Sequence, residues 1–388
     1  MSRRVPALSR HLQGFGTTIF AEMSALATAT GAINLGQGFP DTDGPPEVLE
    51  AAVAAIRSGQ NQYPPGPGTP DLRRAIADHQ RRFWDLTVDP DAEVLVTAGA
   101  TEAIAATLLA LCEPGDEVVA FEPTYDSYGA AVAMAGARLR VVTLRQPELL
   151  VDLEALAAAI TPRTRLLLLN TPHNPTGKVF TEAELAAIAG LAIERDLLVV
   201  TDEVYEHLVF DGAHCPLAGL PGMAERTLTI SSAGKTFSCT GWKIGWVCGP
   251  EELVSAVRTA KQFLTFVNGA PFQPAVAVGL GLGDEVYDDL RDGMRAKRDL
   301  LCAGLAAAGL ETFVPQGTYF ATVDVRSVGE QDGAAFCRSL PERCGVVAIP
   351  SSVFYEDPAT GASLVRFAFC KRTEVLAEAA ERLATLGG

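Results

Sequence analysis

Between about residues 94 and 249, short apolar runs alternate with segments of helical periodicity. The runs rich in β-forming residues are Val94–Thr97, Glu117–Phe121, Leu139–Leu144, Arg165–Asn170, Leu197–Asp202, Thr227–Ser231 and Gly245–Gly249. Helical segments such as Glu102–Cys112 and Glu182–Glu194 separate them. Continuous apolar strands that alternate with helices are typical of a parallel sheet covered on both faces. We therefore expect an α/β fold with a mostly parallel central sheet flanked by helices.

The C-terminal part of the chain has a different pattern. A long, charged, amphipathic helix is predicted over Asp284–Ala308, and a last helix over Glu374–Leu386. Shorter strands are predicted between them, near Thr318–Val323, Val346–Ile349 and Leu364–Phe369. This order indicates a smaller α+β lobe, against which the loop-rich N-terminal segment packs. We expect residues 46–284 to form a large domain, and residues 1–45 and 285–388 to form a small one.

Charge and composition exclude several classes of protein. The 388 residues carry a net charge of −16, so nucleic acid and anionic membranes are poor partners, and an anionic ligand needs local donors. No apolar run is long enough to cross a bilayer, and Met1–Pro6 lacks the apolar core of a signal peptide. The eight cysteines contain no CxxC pair, and the five histidines show no metal-ligand spacing. We expect reduced thiols, no metal site and a cytoplasmic location.

Lys235 lies in a run that does not resemble a solvated surface. The run begins with Ser231-Ser232-Ala233-Gly234, continues past the lysine as Thr236-Phe237-Ser238, and reaches a second lysine, Lys243. A confined ε-amine loses its proton more easily and can attack a carbonyl group. The nearby hydroxyl groups and the second cation suit a phosphate. Together they suggest a site for pyridoxal 5′-phosphate (PLP), although a surface lysine is the usual alternative.

Polar residues follow three of the predicted strands. The turn Gly99–Ile104 places a helix N-terminus where an anion could bind, although a simple turn with a threonine N-cap is the commoner arrangement. The run Asn170–Gly177 contains two proline steps that fix the direction of the Asn174 amide, unless it is an ordinary proline turn. The run Thr201–Tyr205 places an acid at a strand end, where it is either a helix cap or a partner for a cationic group such as a pyridine nitrogen.

Arg366 lies inside the apolar strand Val365–Phe369. A buried guanidinium is costly unless it is paired, and its planar fork suits a carboxylate. The sequence leaves two possibilities open, a binding site for a carboxylate ligand and a structural ion pair.

With these motifs in place, the chain resembles the class I/II aminotransferases of PLP fold type I over nearly its whole length. Within that family it looks most similar to actinobacterial N-succinyldiaminopimelate aminotransferases and to the neighbouring kynurenine/glutamine/methionine branch. The segments that carry the closer resemblance are Thr18–Met23, Asn34–Asp41, Asn61–Gly68, Glu203–Leu208 and Val365–Lys371.

The resemblance implies roles around the cofactor ring. Lys235 bonds covalently to the cofactor and then moves the proton, and Asp202 pairs with the pyridinium nitrogen. Asn174 and Tyr205 hydrogen-bond the ring oxygen, and Tyr125 stacks on the ring.

The resemblance also implies a phosphate site and a substrate site. The phosphate is held by Ala100, Thr101, Ser232 and Lys243, and by Tyr63 of a neighbouring subunit. A homodimer with shared active sites follows. Many relatives have arginine at the position of Lys243. The substrate α-carboxylate is bound by Arg366, the backbone of Gly38 and Asn174.

The implied reaction is ping-pong transfer of an amino group from an amino acid to a 2-oxo acid, with N-succinyl-diaminopimelate and 2-oxoglutarate as the first choice of substrates. Their distal carboxylates predict a second cation in the pocket. The alternative is a kynurenine, glutamine or methionine aminotransferase with cysteine-conjugate β-lyase side activity. Such an enzyme needs an apolar substrate pocket, which could be formed by Phe15, Phe20, Phe39 and Tyr128. A PLP lyase and a non-catalytic sensor are further alternatives.

Overall fold

The computed structural model describes residues 8–16 and 18–387, so the segment Met1–Pro6 lies outside it. The helices are α1 (Ile19–Thr30), α2 (Pro46–Arg57), α3 (Pro70–Trp84), α4 (Gly99–Leu111), α5 (Asp126–Met134), α6 (Leu153–Ala159), α7 (Glu182–Glu194), α8 (Ala233–Thr236), α9 (Glu251–Lys261), α10 (Phe272–Leu280), α11 (Asp284–Ala307), α12 (Gly333–Cys344) and α13 (Thr373–Leu383). The strands are β1 (Ile33–Asn34), β2 (Val94–Thr97), β3 (Glu117–Glu122), β4 (Arg138–Thr143), β5 (Thr164–Asn170), β6 (Leu198–Asp202), β7 (Thr227–Ser232), β8 (Gly245–Cys248), β9 (Glu311–Phe313), β10 (Phe320–Asp324), β11 (Val346–Val347), β12 (Ile349–Pro350) and β13 (Leu364–Ala368).

A seven-stranded sheet forms the centre of the larger lobe, in the order β2-β8-β7-β6-β5-β3-β4. The strands β7, β6, β5, β3 and β4 pair in parallel, whereas β8 runs antiparallel to both β2 and β7. The expectation of a mostly parallel central sheet is therefore confirmed.

Both faces of this sheet are buried, because successive side chains of a strand point to opposite sides. Val118 and Leu168 point to the face that α4, α5 and α9 cover. Their neighbours Val119 and Leu169 point to the opposite face, which α6 and α7 cover. Helices on both faces explain why these strands are continuous apolar runs.

The smaller lobe is α+β, as expected. Its four-stranded antiparallel sheet has the order β12-β13-β10-β9, and a short parallel pair joins β1 to β11. Its core takes Met23 from α1, Leu301 from α11, Phe336 from α12 and Leu376 from α13. Tyr205, which follows β6 of the larger sheet, belongs to the same core and ties the two lobes together.

The carboxyl ends of the parallel strands converge where the two lobes meet. Strand β5 ends at Asn170, β6 ends at Asp202, and β7 ends at Ser232, directly before the one-turn helix α8 that carries Lys235. The smaller lobe contributes Arg366 from β13 to the same place. Among the described residues, no helix combines the length and the apolar character that a bilayer crossing needs.

Candidate active site

A cavity of 260 Å³ opens between the lobes at the carboxyl edge of the central sheet. It is lined by all of the sequence-predicted site residues except Tyr63, namely Gly38, Ala100, Thr101, Tyr125, Asn174, Asp202, Tyr205, Ser232, Lys235, Lys243 and Arg366. Residues that lie up to 328 positions apart in the chain, from 38 to 366, therefore meet in one place.

The amine of Lys235 points into the cavity. Its Nζ donates to Tyr319 Oη at 2.8 Å and to the Gly38 carbonyl at 3.5 Å, and it lies 5.7 Å from the centre of the Tyr205 ring. Burial lowers the pKa of Lys235 to about 8. More of this amine is therefore unprotonated near neutral pH than of an ordinary lysine, and the unprotonated form is the nucleophile and proton acceptor.

Asp202 provides a buried acid on another wall of the cavity. Its Oδ2 accepts a hydrogen bond from Tyr128 Oη at 2.7 Å, and its Oδ1 accepts from Val204 N at 3.4 Å. The Asn170 amide donates to the Asp202 carbonyl at 2.8 Å and fixes the end of the strand. Burial raises the pKa of the carboxyl, while the Tyr128 hydrogen bond opposes that rise. A cationic partner would stabilise this carboxylate further.

The turn before α4 forms a cradle for an anion. Gly99 has a φ of 75°, and a Cβ on it would lie 3.2 Å from Lys243 Nζ. A Cβ on Gly245 would come within 3.0 Å of the Gly99 backbone, so two glycines are needed to bring the strands and the turn this close. An anion in this cradle would be stabilised by three features at once: the first backbone N–H groups of α4, the dipole of that helix and the Lys243 side chain.

Arg366 is buried, and its partners are neutral groups. Its Nη1 donates to Asn174 Oδ1 at 3.1 Å and its Nη2 donates to the Gly36 carbonyl at 3.2 Å, while its Nε has no partner. Three aromatic rings surround the guanidinium, with centroids at 4.0 Å (Phe320), 4.9 Å (Phe354) and 5.3 Å (Phe20). Burial lowers the pKa of Arg366 to about 10. No ion pair among the described residues involves Arg366, so the structural ion pair that the sequence left open is not formed.

Tyr63 lies away from the cavity. Its side chain is 82% exposed, and its ring packs edge-on against Phe266 at 5.4 Å between centroids. The predicted contact between Tyr63 and the phosphate therefore depends on a second subunit and is not made within one chain.

The apolar side chains proposed for the pocket divide into two groups. Phe20 and Tyr128 line the cavity. Phe15 lies against Gly129, and Phe39 is half exposed with Lys371 Nζ 4.4 Å above its ring, so neither lines the cavity.

Three contributions to the site were missed from the sequence. Tyr319 accepts a hydrogen bond from Lys235, Tyr128 donates one to Asp202, and Phe320 stacks on Arg366. Tyr319 and Phe320 lie inside the predicted strand Thr318–Val323, and Tyr128 follows Tyr125 by three residues. Aromatic residues next to predicted site elements were the only available signal.

A second polar cluster lies outside the cavity. His79 Nε2 and His207 Nε2 are 2.7 Å apart, and Glu206 accepts hydrogen bonds from Trp84 Nε1 at 2.6 Å and from Ser231 Oγ at 2.5 Å. Two nitrogen ligands of a tetrahedral zinc ion stand about 3.3 Å apart, given bond lengths of about 2.0–2.1 Å. The separation of the two Nε2 atoms is that of a hydrogen bond, so the cluster is a buried hydrogen-bonded network.

Most of the chain matches a known family. The model of the family "Aminotransferase class I and II" matches residues 30–383. The chain belongs to this family.

Relatives of this aminotransferase cover nearly its full length. It is 57% identical to a protein of Mycobacterium tuberculosis named as a probable N-succinyldiaminopimelate aminotransferase, with 97% of each chain covered. It is 43% identical to a methionine aminotransferase of Escherichia coli, also with 97% of each covered. A kynurenine–oxoglutarate transaminase of Dictyostelium discoideum is 36% identical, with 97% and 96% covered.

A solved structure supports the same assignment. The structure of N-succinyldiaminopimelate aminotransferase from Mycobacterium tuberculosis superposes with a TM-score of 0.96 at 57% identity, covering 98% of this chain and 100% of that one. The expected fold class, family and enzyme class are confirmed. This aminotransferase has the fold of the type I enzymes, and amino acids and 2-oxo acids are the substrates that its class uses.

Proposed function

We propose that this aminotransferase uses PLP, bound covalently to Lys235, to move an amino group from an amino acid to a 2-oxo acid by a ping-pong mechanism. One observation carries the proposal: a buried amine of lowered pKa and a buried carboxyl group line the same cavity as an anion cradle. An aldehyde, a pyridine nitrogen and a phosphate would each find a partner in that arrangement.

The residues present fit this cofactor. The glycine turn leaves room for a phosphate beside Lys243 Nζ, where a Cβ on Gly99 would lie only 3.2 Å away. We assign Ala100, Thr101, Ser232 and Lys243 to the phosphate. Asp202, buried and held as an acceptor by Tyr128, is assigned to the ring nitrogen. Tyr125, Tyr205 and Asn174 line the same cavity and are assigned to the ring face and the ring oxygen.

When bound, PLP supplies an aldehyde that condenses with amines and a pyridine ring that accepts electrons from the substrate α-carbon. Lys235 accepts the proton from that carbon and later returns it. Asp202 would stabilise the protonated form of the ring nitrogen in this buried site, because an ionised carboxylate favours a protonated neighbour. The centre of the Tyr205 ring lies 5.7 Å from the lysine amine, so Tyr205 borders the space in which the proton is moved.

Arg366 binds the substrate α-carboxylate in this proposal. Its Nε lacks a partner, and its two bonds to neutral oxygens are replaceable by stronger bonds to a carboxylate. The Gly38 carbonyl accepts from Tyr319, so the Gly38 N–H is its remaining main-chain group for the substrate. Anchored at Arg366 and Asn174, the substrate presents its Cα–H bond to Lys235.

For the substrates, we propose N-succinyl-diaminopimelate as donor and 2-oxoglutarate as acceptor. The 57% identity to a protein that bears this name supports the choice. The distal carboxylates need a further cation, and the only cationic side chains among the described residues that line the cavity are Lys235, Lys243 and Arg366. In this proposal the additional cation comes from outside this lining, for example from a second subunit.

An alternative donor is methionine, glutamine or kynurenine. The aromatic walls Phe20, Tyr125 and Phe320 favour an apolar side chain, and a methionine aminotransferase is 43% identical. Cysteine-conjugate β-lyase side activity would accompany this specificity, because loss of a β-substituent begins with the same removal of the α-proton.

We further propose a homodimer in which Tyr63 reaches the phosphate of the other subunit. Tyr63 is 82% exposed and packs against the exposed Phe266, so this aromatic pair offers apolar surface suited to a second copy. The division into residues 46–284 and residues 1–45 with 285–388 remains part of the proposal. So does a cytoplasmic location, which the eight free cysteines support.

Reduction with borohydride tests the covalent link. Reduction of the purified enzyme, digestion and mass spectrometry should place a pyridoxyl group on the peptide that contains Lys235. A tag on another lysine, or no tag, would contradict the proposal.

A substrate panel tests the specificity. N-succinyl-diaminopimelate, glutamate, methionine, glutamine and kynurenine are each paired with several 2-oxo acids. Turnover of methionine or kynurenine without turnover of the succinylated donor would favour the alternative. Release of pyruvate and ammonia from a cysteine conjugate in the absence of an oxo acid would indicate lyase chemistry.

A further inference from the structure

Tyr319 connects Lys235 to the N-terminal segment. The Lys235 Nζ donates to Tyr319 Oη at 2.8 Å, and Tyr319 Oη donates to the Gly38 carbonyl at 2.5 Å. The Gly38 carbonyl is also the second acceptor of the amine, at 3.5 Å. Lys235 Nζ, Tyr319 Oη and the Gly38 carbonyl, which are far apart in the chain, are thus all hydrogen-bonded to one another.

The backbone before Tyr319 is held in an unusual conformation. Thr318 has a φ of 67°, which is rare and strained for a β-branched residue. Two hydrogen bonds hold Thr318 in this conformation. Its backbone N–H donates to the Leu208 carbonyl at 2.9 Å, and its Oγ1 accepts from Phe320 N at 3.2 Å. Strain of this kind persists where the surroundings fix a side chain for a purpose. Here the side chain that follows is Tyr319.

Gly38 is equally constrained. A Cβ at this position would lie 2.5 Å from Phe320 Cζ and 3.2 Å from Tyr319 Cε2. Only glycine therefore lets the segment approach closely enough for its carbonyl to reach the Tyr319 hydroxyl. The close approach is a second, independent feature that serves the same contact.

The Tyr319 hydroxyl is suited to accept a hydrogen bond from a cationic group while it stays neutral. Its side chain is fully buried, and its ring packs edge-on against Tyr205 at 5.1 Å and 88°. Burial raises the pKa of Tyr319 well above its usual value, so the hydroxyl stays neutral. A neutral hydroxyl can accept from an ammonium group while it donates to the Gly38 carbonyl.

We propose that Tyr319 is a positioning residue that holds the Lys235 amine whenever it is free, and that its hydroxyl oxygen helps the amine to keep the proton taken from the substrate. The inference rests on the proposed role of Lys235. When the substrate Cα–H bond breaks, the proton forms a new N–H bond on Lys235. The resulting ammonium donates to Tyr319 and Gly38 until the proton is returned.

The effect on the proton affinity of Lys235 has a defined sign. A hydrogen bond to the charged form favours that form, so loss of the Tyr319 oxygen should lower the pKa of Lys235 below its value of about 8. The other groups that act on the amine are Cys370 and Asp202, which raise its pKa, and Arg366 and Lys243, which lower it. All of them remain when Tyr319 is changed.

The test compares the parent with Tyr319→Phe, which removes the oxygen and keeps the ring. The holoenzyme is converted to its amino form with an excess of an accepted amino donor, and trace acetic anhydride then labels lysines over a series of pH values. Mass spectrometry of the Lys235 peptide gives the titration midpoint. Loss of a hydrogen bond to the ammonium should lower that midpoint by about 1 to 2 pH units. The kcat should fall about tenfold while KM changes less than about twofold.

Tyr287→Phe is the matched control. Tyr287 is also buried, and its hydroxyl donates to the carbonyls of Gly279 and Leu280 at 3.4 and 3.3 Å, outside the cavity. This variant should keep the parental midpoint and the parental kcat. A shift of equal size in both variants would contradict a specific role for Tyr319.

A second version of the experiment does not depend on the folding of Tyr319→Phe. Site-specific 3-fluorotyrosine at position 319 keeps the shape and the oxygen but makes the oxygen a weaker acceptor, so the midpoint should shift in the same direction by less. If borohydride tags Lys235 and both variants retain the parental midpoint, the role of Tyr319 is wrong while the proposed function stands. If the tag lies elsewhere, the proposed function itself is wrong.

Discussion

Tyr128 Oη lies 2.7 Å from Oδ2 of Asp202 and donates a hydrogen bond to it. Both side chains are buried, and the bond opposes the rise in the Asp202 pKa that burial causes. Tyr128 therefore keeps a carboxylate available where low polarity would otherwise favour the neutral acid.

Replacement of Tyr128 by phenylalanine should reduce activity without removing the cofactor. A hydrogen bond to a buried charge is worth about 1.5–3 kcal/mol, so kcat/KM should fall about 10- to 100-fold as the Asp202 pKa rises further. Steady-state kinetics and the visible absorbance of the bound cofactor measure the two effects. Tyr287→Phe serves as the control for loss of a buried hydroxyl outside the cavity. Parental kcat/KM in Tyr128→Phe would show that Asp202 does not need this donor.

Lys235→Ala should abolish amino-group transfer and the visible absorbance of the covalently bound cofactor. Its circular dichroism should remain parental, because within residues 8–16 and 18–387 the hydrogen bonds of the amine go to Tyr319 and the Gly38 carbonyl, and neither belongs to the central sheet. Lys243→Ala is an informative companion, because it should weaken cofactor retention while leaving the covalent link to Lys235 possible. Transfer at the parental rate by Lys235→Ala would exclude the proposed role of this residue.

The strands could be predicted closely from the sequence, because each is a continuous apolar run. The predicted Val94–Thr97 matches β2, and Leu197–Asp202 differs from β6 by one residue at its start. Local motifs also predicted polar residues at the strand ends, and these residues line one cavity because parallel strands bring their carboxyl ends to one edge.

The contacts made across the chain could not be predicted in the same way. The bond between Tyr319 and the Gly38 carbonyl spans 281 positions, and it depends on the positive φ of Thr318, which nothing in the local sequence announces. The aromatic surroundings of Arg366 likewise depend on three rings from separate elements. Tyr63 illustrates a further limit, because its predicted contact requires a second subunit.

Arg366→Lys should weaken substrate binding while sparing the cofactor. Lysine keeps the charge but loses the planar fork that binds both carboxylate oxygens and stacks on aromatic rings. We expect KM for the amino donor to rise at least about tenfold, with the cofactor absorbance unchanged. Arg81→Lys is the control, since Arg81 forms an exposed pair with Asp78 at 2.7 Å. An unchanged KM in Arg366→Lys would place the carboxylate site elsewhere.

His79→Gln should make the enzyme less sensitive to acid. Burial, with a smaller contribution from Arg82, lowers the pKa of His79 to about 3, whereas an unfolded histidine titrates near 6.5. Between these values the unfolded chain binds a proton that the folded chain does not, so stability is lost as the pH falls from about 6.5 towards 3, by about 1.4 kcal/mol per pH unit.

Glu206 acts in the opposite direction. Burial raises its pKa to about 7, so its contribution to stability is lost as the pH rises, and this residue is present in both proteins. Urea unfolding at several pH values between 4.5 and 7.5 should show a shallower dependence in His79→Gln than in the parent or in the exposed control His11→Gln. Parallel stability curves for His79→Gln and the parent would mean that His79 is not the residue that acid acts on.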